Sequence, residues 1–106
     1  MYFARELISN DTDRNIEILL EPWGMPLQLP SGGQLELVAE SVNPGNLQVD
    51  RDSVITIYAW PGATLRVYAR GVLMHSETIP VPDPPPGVSI RDFMGIVDLK
   101  KNSASG

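Results

Sequence analysis

The sequence predicts an all-β fold, a small antiparallel β-sandwich with Greek-key-like connections and about seven or eight short strands. Three observations lead to this prediction. Apolar and polar residues alternate over most of the first 79 positions, which is the period of a half-buried strand. Turn-forming clusters of Gly, Pro, Asn, Asp and Ser recur at a spacing of roughly 8–12 residues, as in sandwiches and small barrels. The connections are too short for parallel crossovers, so mostly antiparallel pairing is expected.

Each predicted strand is a short apolar or alternating run that ends at turn-forming residues. In chain order the runs cover residues 2–8, 15–21, 25–29, 34–42, 47–49, 53–60, 64–69 and 72–79. The third run contains Pro26, and proline cannot donate to a central ladder, so this strand is expected at a sheet edge. The run at 53–60 is the most apolar and is expected in the centre of a sheet, buried on both faces.

Corners rich in proline and glycine separate these runs. We expect bends at three of them, because proline stops a strand and glycine supplies a positive φ. Their residues are Pro22, Trp23, Gly24, Gly32, Gly33, Pro61 and Gly62. Trp60 precedes the last corner, so tryptophan, proline and glycine meet at two corners, which favours a folding device over a unique pocket. Whether the Trp23 ring packs under its corner or stands exposed beside it stays open.

The composition changes after residue 79, and this change predicts the domain organisation. Residues 1–79 form the predicted sandwich domain. Residues 80–87 hold five of the ten prolines and predict an extended, semi-rigid spacer of polyproline II type. Residues 88–101 predict a short amphipathic helix, and residues 102–106 a frayed tail.

The predicted helix starts with Ser89 and Asp92, which are spaced as in a capping box. Its apolar stripe is a candidate surface for docking on a partner. The stripe consists of Ile90, Phe93, Met94 and Val97. Such a stripe needs a cover, since it would otherwise be a sticky patch. Two alternatives stay open: the helix docks on its own sandwich, or it docks on a second copy or a different protein, with the spacer setting its reach.

The formal charge is −5, and its distribution limits the class of partner. Residues 1–79 hold five Arg, no Lys and ten acidic residues, whereas residues 80–106 hold three basic and three acidic residues. An acidic body without a basic stripe argues against nucleic acid, whose phosphates require clustered Lys and Arg. The charge suits solubility, and it also suits a basic protein partner.

Cysteine usage and hydropathy indicate a cellular location. The chain contains no cysteine, which excludes a disulfide framework and a thiolate metal site and fits a reducing compartment. The first residues turn polar too early for the core of a signal peptide, and no apolar run approaches the length of a membrane span. We therefore expect a cytoplasmic protein without a membrane partner.

No set of residues predicts catalysis, a metal site or a cofactor. His75 is the only histidine, and no nucleophile elbow accompanies it, so an ordinary position on a strand face is expected. The D-x-D-x-N pattern at residues 11–15 resembles the start of a calcium loop, but the glycine and glutamate that such a loop needs further on are missing. Asp50 and Asp52 are a remote candidate pair for carboxylate chemistry. The expectation is a protein that is not an enzyme.

Aromatic side chains provide an alternative to protein binding. Two consecutive predicted strands carry aromatic residues and an arginine that could form one face for a carbohydrate or another small ligand. These residues are Tyr58, Trp60, Arg66 and Tyr68. Packing of Tyr58 and Trp60 in the core is the simpler interpretation.

The stretch LEPWGMPLQLPSGGQLEL resembles small uncharacterised bacterial proteins with an EPWG-like corner that an L-P-x-G turn follows. The matching positions are Glu21, Pro22, Trp23, Gly24, Leu29, Pro30 and Gly32. The resemblance covers about the first 70 residues and implies a β-sandwich. It implies no activity, cofactor or catalytic residue.

These observations favour a non-enzymatic β-sandwich interaction module that binds a protein or associates with itself. The alternative is a small-ligand or carbohydrate-binding sandwich that uses the aromatic face. No cofactor is expected for either.

Overall fold

A computed structural model of the chain describes residues 1–95, which form two four-stranded sheets around one apolar core. In chain order the strands are β1 Tyr2–Ser9, β2 Ile16–Glu21, β3 Met25–Leu29, β4 Gln34–Ser41, β5 Gln48–Arg51, β6 Ile55–Tyr58, β7 Thr64–Ala69 and β8 Val72–Glu77. A helix, α1, occupies residues 90–95. The predicted all-β class is confirmed.

The two sheets differ in how their strands pair. Sheet A has the order β1-β4-β7-β8 and is antiparallel throughout. Sheet B has the order β3-β2-β6-β5, and its two central strands, β2 and β6, run parallel. β3 lies at an edge, as Pro26 predicts. β6 lies inside its sheet, but only Ile55 and Ile57 are buried and the other face is half-buried, so the predicted burial of both faces is wrong.

The core consists of the inward-facing residues of both sheets. β4 shows the pattern most clearly, because alternate residues from Leu35 to Ser41 are buried. The largest completely buried apolar side chains come from five different strands. They are Ile8, Ile18, Leu20, Leu37, Ile57, Leu65 and Val67. Burial of each such side chain contributes about 1.5–3 kcal/mol to folding, so this layer holds the sheets together.

The predicted corners have distinct structural roles. Gly24, Gly32 and Gly62 adopt φ values of 71°, 77° and 82°, which favour glycine. Gly33 does not need a positive φ; a Cβ there would lie 2.8 Å from the Leu29 side chain. The peptide bond between residues 21 and 22 is cis. The half-buried Trp23 ring packs against the core, and its indole N–H donates to the Ile79 carbonyl at 2.9 Å, which answers the question that the sequence left open.

The proline-rich segment 80–87 is not a free spacer at its start. Val81 is buried in the same core as the strands. Its N–H donates to the Ala63 carbonyl at 3.0 Å, and its carbonyl accepts from Gly62 N–H at 2.8 Å. One apolar side chain among prolines therefore anchors the start of the segment to the corner between β6 and β7. The division into a domain 1–79 and a spacer 80–87 stays a prediction.

Helix α1 docks on its own sandwich. Ile90 is only 4% exposed and belongs to the core, and Met94 packs against it. The helix begins where Ser89 Oγ accepts from Asp92 N–H at 3.1 Å. For Ile90 and Met94 these contacts favour the first of the two alternatives, docking on the chain's own sandwich.

Two further members of the predicted stripe need separate mention. Phe93 is half-buried. Val97 lies outside the described residues, as do the remainder of the predicted helix 88–101 and the predicted tail 102–106.

Candidate functional site

An apolar cleft opens where the edge strands β3 and β8 face each other across the sandwich. Its volume is about 430 Å³. We call it the inter-edge cleft; its apolar walls are Leu27, Leu29, Leu35, Val67, Ala69 and Met74. Four polar residues, Gln28, Gln34, Arg70 and His75, also line it. A cavity of this size with apolar walls and few polar groups is typical of small-molecule sites.

Arg70 occupies the tight turn between β7 and β8, at one end of the cleft. Its φ is 52° and that of Gly71 is 77°, the signs that a two-residue type I′ hairpin turn requires. Arg70 is the one non-glycine residue among residues 1–95 with a positive φ. Asparagine or glycine adopts this conformation at a lower cost, so the arginine is a costly choice here. Its guanidinium has no ion pair within the described part of the chain.

A β-bulge in the pairing of β7 with β8 lies beside the cleft. Val67 pairs with His75, but the next residue, Tyr68, pairs with Leu73, which leaves Met74 as the extra residue. Met74 lines the cleft and remains 64% exposed. The bulge therefore places a flexible thioether at the opening.

His75 and Glu77 form a pair on the inward side of β8. They stand opposite Val67 and Leu65, both buried. His75 Nε2 lies 2.7 Å from Glu77 Oε1, and both side chains are mostly buried. The sequence predicted an ordinary strand-face histidine; the structure places it on the core side, where it lines the cleft.

The predicted aromatic ligand face does not form. Tyr58 points outward from sheet B, since its neighbour Ile57 points into the core. Arg66 and Tyr68 point outward from sheet A. Trp60 is buried, and its indole N–H donates to the Asn43 carbonyl at 2.8 Å. The four residues separate because the chain crosses from one sheet to the other between β6 and β7.

The outer face of sheet A, meaning the side turned away from the core, carries exposed apolar side chains among charged ones. Phe3 and Leu7 of β1 and Leu73 of β8 are exposed on it, and Tyr68 is half-buried between them. Arg5 also lies there and forms an ion pair with Glu36 of β4.

Of the acidic candidates, Asp50 has a structural partner in the helix. Asp50 binds Arg91 of α1 through two contacts, at 3.0 and 2.8 Å. The turn at residues 11–15 is held by Asn10, whose Oδ1 accepts from Thr12 N–H at 3.0 Å. No group of three or more His, Cys, Asp or Glu that could hold a metal ion occurs in residues 1–95.

The cleft was not predicted from the sequence. Its one local signal is the Arg70-Gly71 dipeptide between two alternating runs, at a place where Asn-Gly is the usual hairpin turn. The remaining walls come from strands far apart in the chain, which no local pattern brings together.

The fold and cleft define the class of the protein as an eight-stranded β-sandwich, counted over residues 1–95, with an apolar cleft between its sheet edges. No family model, curated protein or solved structure matches the chain. The resemblance to bacterial proteins with an EPWG-like corner therefore stays a prediction. Within the described residues no helix is long and apolar enough to cross a membrane.

Proposed function

We propose that the chain is a non-enzymatic interaction module that associates with a second copy of itself through the outer face of sheet A. The distribution of exposed apolar side chains supports this proposal most directly. Every large apolar side chain that is exposed within residues 1–95 lies on a strand of sheet A or within two residues of one. They are Met1, Tyr2, Phe3, Leu7, Val42, Val72, Leu73, Met74 and Ile79. Of this set, Phe3, Leu7 and Leu73 point outward from the sheet. Apolar side chains exposed in this way can mark an interaction site.

Sheet B differs because its own chain covers part of it. Asp50 lies on the outer face of β5, opposite Thr56, and it holds Arg91 of α1 there. Ile90, beside Arg91, belongs to the core and lies near Ala59 and Trp60, which follow β6. Association with a second copy would likewise bury part of the outer face of sheet A.

The charge on the outer face of sheet A favours a second copy over a strongly basic partner. Arg5 and Arg66 point outward together with Glu36 and Glu40, so two positive charges balance two negative ones. The whole chain carries −5, and two such bodies repel each other elsewhere. A neutral face of mixed charges can complement itself in a two-fold symmetric contact.

Sedimentation velocity of matched variants tests this proposal. Leu7→Asp replaces an exposed apolar side chain of the outer face of sheet A by a charge, and Gln28→Asp places the same charge at an exposed position of β3 in sheet B. We expect a dimer for the wild type and for Gln28→Asp, and a monomer for Leu7→Asp at the same concentration. A wild type that stays monomeric at high micromolar concentration would contradict the proposal.

The other predictions on partners and location keep their basis in the sequence. The acidic body supports a protein partner and speaks against nucleic acid. A cytoplasmic location stays a prediction, as does the absence of a membrane partner. The alternative function, small-ligand binding, is now favoured by the inter-edge cleft instead of the aromatic residues.

A further inference from the structure

We propose that the inter-edge cleft binds a linear aliphatic carboxylate, with the alkyl chain between the sheet edges and the carboxylate on the guanidinium of Arg70. The apolar part of this site lies between the sheets, whereas the surface proposed for self-association is the outer face of sheet A. Arg70 borders both, because it also lines a pocket with Leu7 and Tyr68 of that outer face.

The walls of the cleft determine the apolar part of the ligand. Leu27 and Leu29 come from β3, and Val67 and Ala69 come from β7, so both sheets contribute hydrocarbon surface. The volume, about 430 Å³, lies within the range of roughly 300–1,000 Å³ that small-molecule sites occupy. An alkyl chain suits such a slot, because it needs no hydrogen bond from the walls.

Met74 lets the cleft adapt to a flexible chain. It is the extra residue of the β-bulge, and it lines the opening while remaining largely exposed. Its thioether side chain is unbranched and fills irregular gaps. An exposed methionine at the opening of an apolar slot can close over a bound chain.

Arg70 determines the charged end of the ligand. Its guanidinium is always protonated and can bind a carboxylate through two parallel hydrogen bonds. It forms no ion pair within residues 1–95, so this positive charge is available. The left-handed backbone at this position disfavours arginine, and residues in such conformations concentrate at functional sites. Both observations indicate that the side chain serves an anion.

The other polar groups of the cleft limit the ligand to one charged end. His75 already holds Glu77 at 2.7 Å. Gln28 and Gln34 are neutral amides on exposed positions of the rim. One available cation next to an apolar interior matches a ligand with a single anionic head and a hydrocarbon tail.

Titration by two-dimensional ¹H–¹⁵N NMR tests the proposal with three probes: octanoate, octanol and acetate. Octanol has the chain without the charge, and acetate has the charge without the chain. We expect octanoate to shift the amide resonances of Leu27, Val67 and Ala69, octanol to shift the same resonances at higher concentration, and acetate to leave them unchanged.

The variant Arg70→Asn removes the charge and keeps a residue that suits the turn. We expect its octanoate affinity to fall at least about tenfold, since the hydrogen bonds that it removes are charge-assisted, while its octanol affinity stays unchanged. Arg51→Asn is the matched control, because Arg51 is exposed at the end of β5 and does not line the cleft. It should bind octanoate like the wild type.

Four results would overturn the proposal. The first is that octanoate produces no shifts up to its solubility limit, and the second is that its shifts are confined to Leu7 and Tyr68 on the outer face of sheet A. The third is that Arg70→Asn binds octanoate as tightly as the wild type, and the fourth is that Arg70→Asn weakens octanol binding as strongly as octanoate binding. The wild type and both variants are used with all 106 residues. The dispersion of the amide resonances in the same spectra shows whether each variant is folded.

Discussion

Trp23 donates its indole N–H to the carbonyl oxygen of Ile79 at 2.9 Å, across 56 residues of chain. Trp23 lies between β2 and β3 of sheet B, and Ile79 follows β8 of sheet A. One hydrogen bond thus connects the first tryptophan corner to the point where the chain leaves sheet A. The corner is part of how the two sheets are joined.

Replacing Trp23 by phenylalanine tests this connection. The change keeps an aromatic ring and removes the N–H donor, so the free energy of unfolding should fall by about 0.5–1.5 kcal/mol, the usual net value of one hydrogen bond. Chemical denaturation measures the fall. Tyr2→Phe is the control, because Tyr2 is exposed and its hydroxyl has no hydrogen-bond partner within residues 1–95. Equal effects of the two substitutions would refute the role of the Trp23 bond.

Docking of the C-terminal segment predicts a contrast between two isoleucines. Ile90→Ala should lower the free energy of unfolding by about 2–5 kcal/mol, because Ile90 is buried in the core. Ile79→Ala removes the same atoms from a side chain that is 73% exposed and should change stability by less than about 0.5 kcal/mol. Thermal and urea unfolding measure both. A negligible effect at Ile90 would show that the helix does not dock on the sandwich.

The burial of Val81 and Ile90 also predicts the result of removing the C-terminal segment. Removal of residues 80–106 would take Val81 and Ile90 out of the core. The truncated chain should therefore bind an apolar dye even if residues 80–106 contact no other protein. Dye binding by the truncated chain would not show that this segment docks on a partner.

Gly45 provides a test of packing at the second tryptophan. A Cβ on Gly45 would collide with the Trp60 ring, whose N–H is fixed by the Asn43 carbonyl at 2.8 Å. Gly45→Ala should lower the free energy of unfolding by about 1–3 kcal/mol, as overpacking does. The control is Gly95→Ala, where a Cβ meets no atom of residues 1–95 within 4 Å and the helix should gain up to about 1 kcal/mol. A neutral Gly45→Ala would show that the ring moves aside without cost.

Arg70→Asn should raise stability while it weakens binding of octanoate. Relief of the left-handed strain on Arg70 should add about 1 kcal/mol to the free energy of unfolding. Arg51→Asn should not increase it, because Arg51 has an ordinary negative φ. Thermal unfolding without ligand compares the two. A destabilised Arg70→Asn would mean that the side chain supports the fold, and the functional interpretation of its strain would then fail.

Local patterns predicted the strands well, because each strand is defined by neighbours in the chain. The runs at 25–29 and 64–69 coincide with β3 and β7, and Pro26 placed β3 at an edge through its missing N–H. The turn residues did not show whether the two strands that a corner connects lie in the same sheet or in different sheets. Gly24 and Gly62 have similar positive φ values, yet β2 and β3 pair with each other, whereas β6 and β7 lie in different sheets.

The crossing of the chain from one sheet to the other explains why the predicted aromatic face does not form. It also explains why the cleft could not be predicted. Tyr58 and Tyr68 are close in the chain but stand on opposite outer faces. Leu27 and Met74 are far apart in the chain but line one cleft. The burial of Val81 was not predicted from the sequence, because the composition of a proline-rich segment predicts its average conformation and not the burial of one side chain.

The central claim is self-association through the outer face of sheet A, and NMR spectra recorded over a dilution series test it most directly. We predict that the amide resonances of Phe3, Leu7, Tyr68 and Leu73 shift or sharpen on dilution, while those of Glu17 and Thr56, on the outer face of sheet B, stay constant. Spectra that do not change with concentration, or changes confined to sheet B, would contradict the claim.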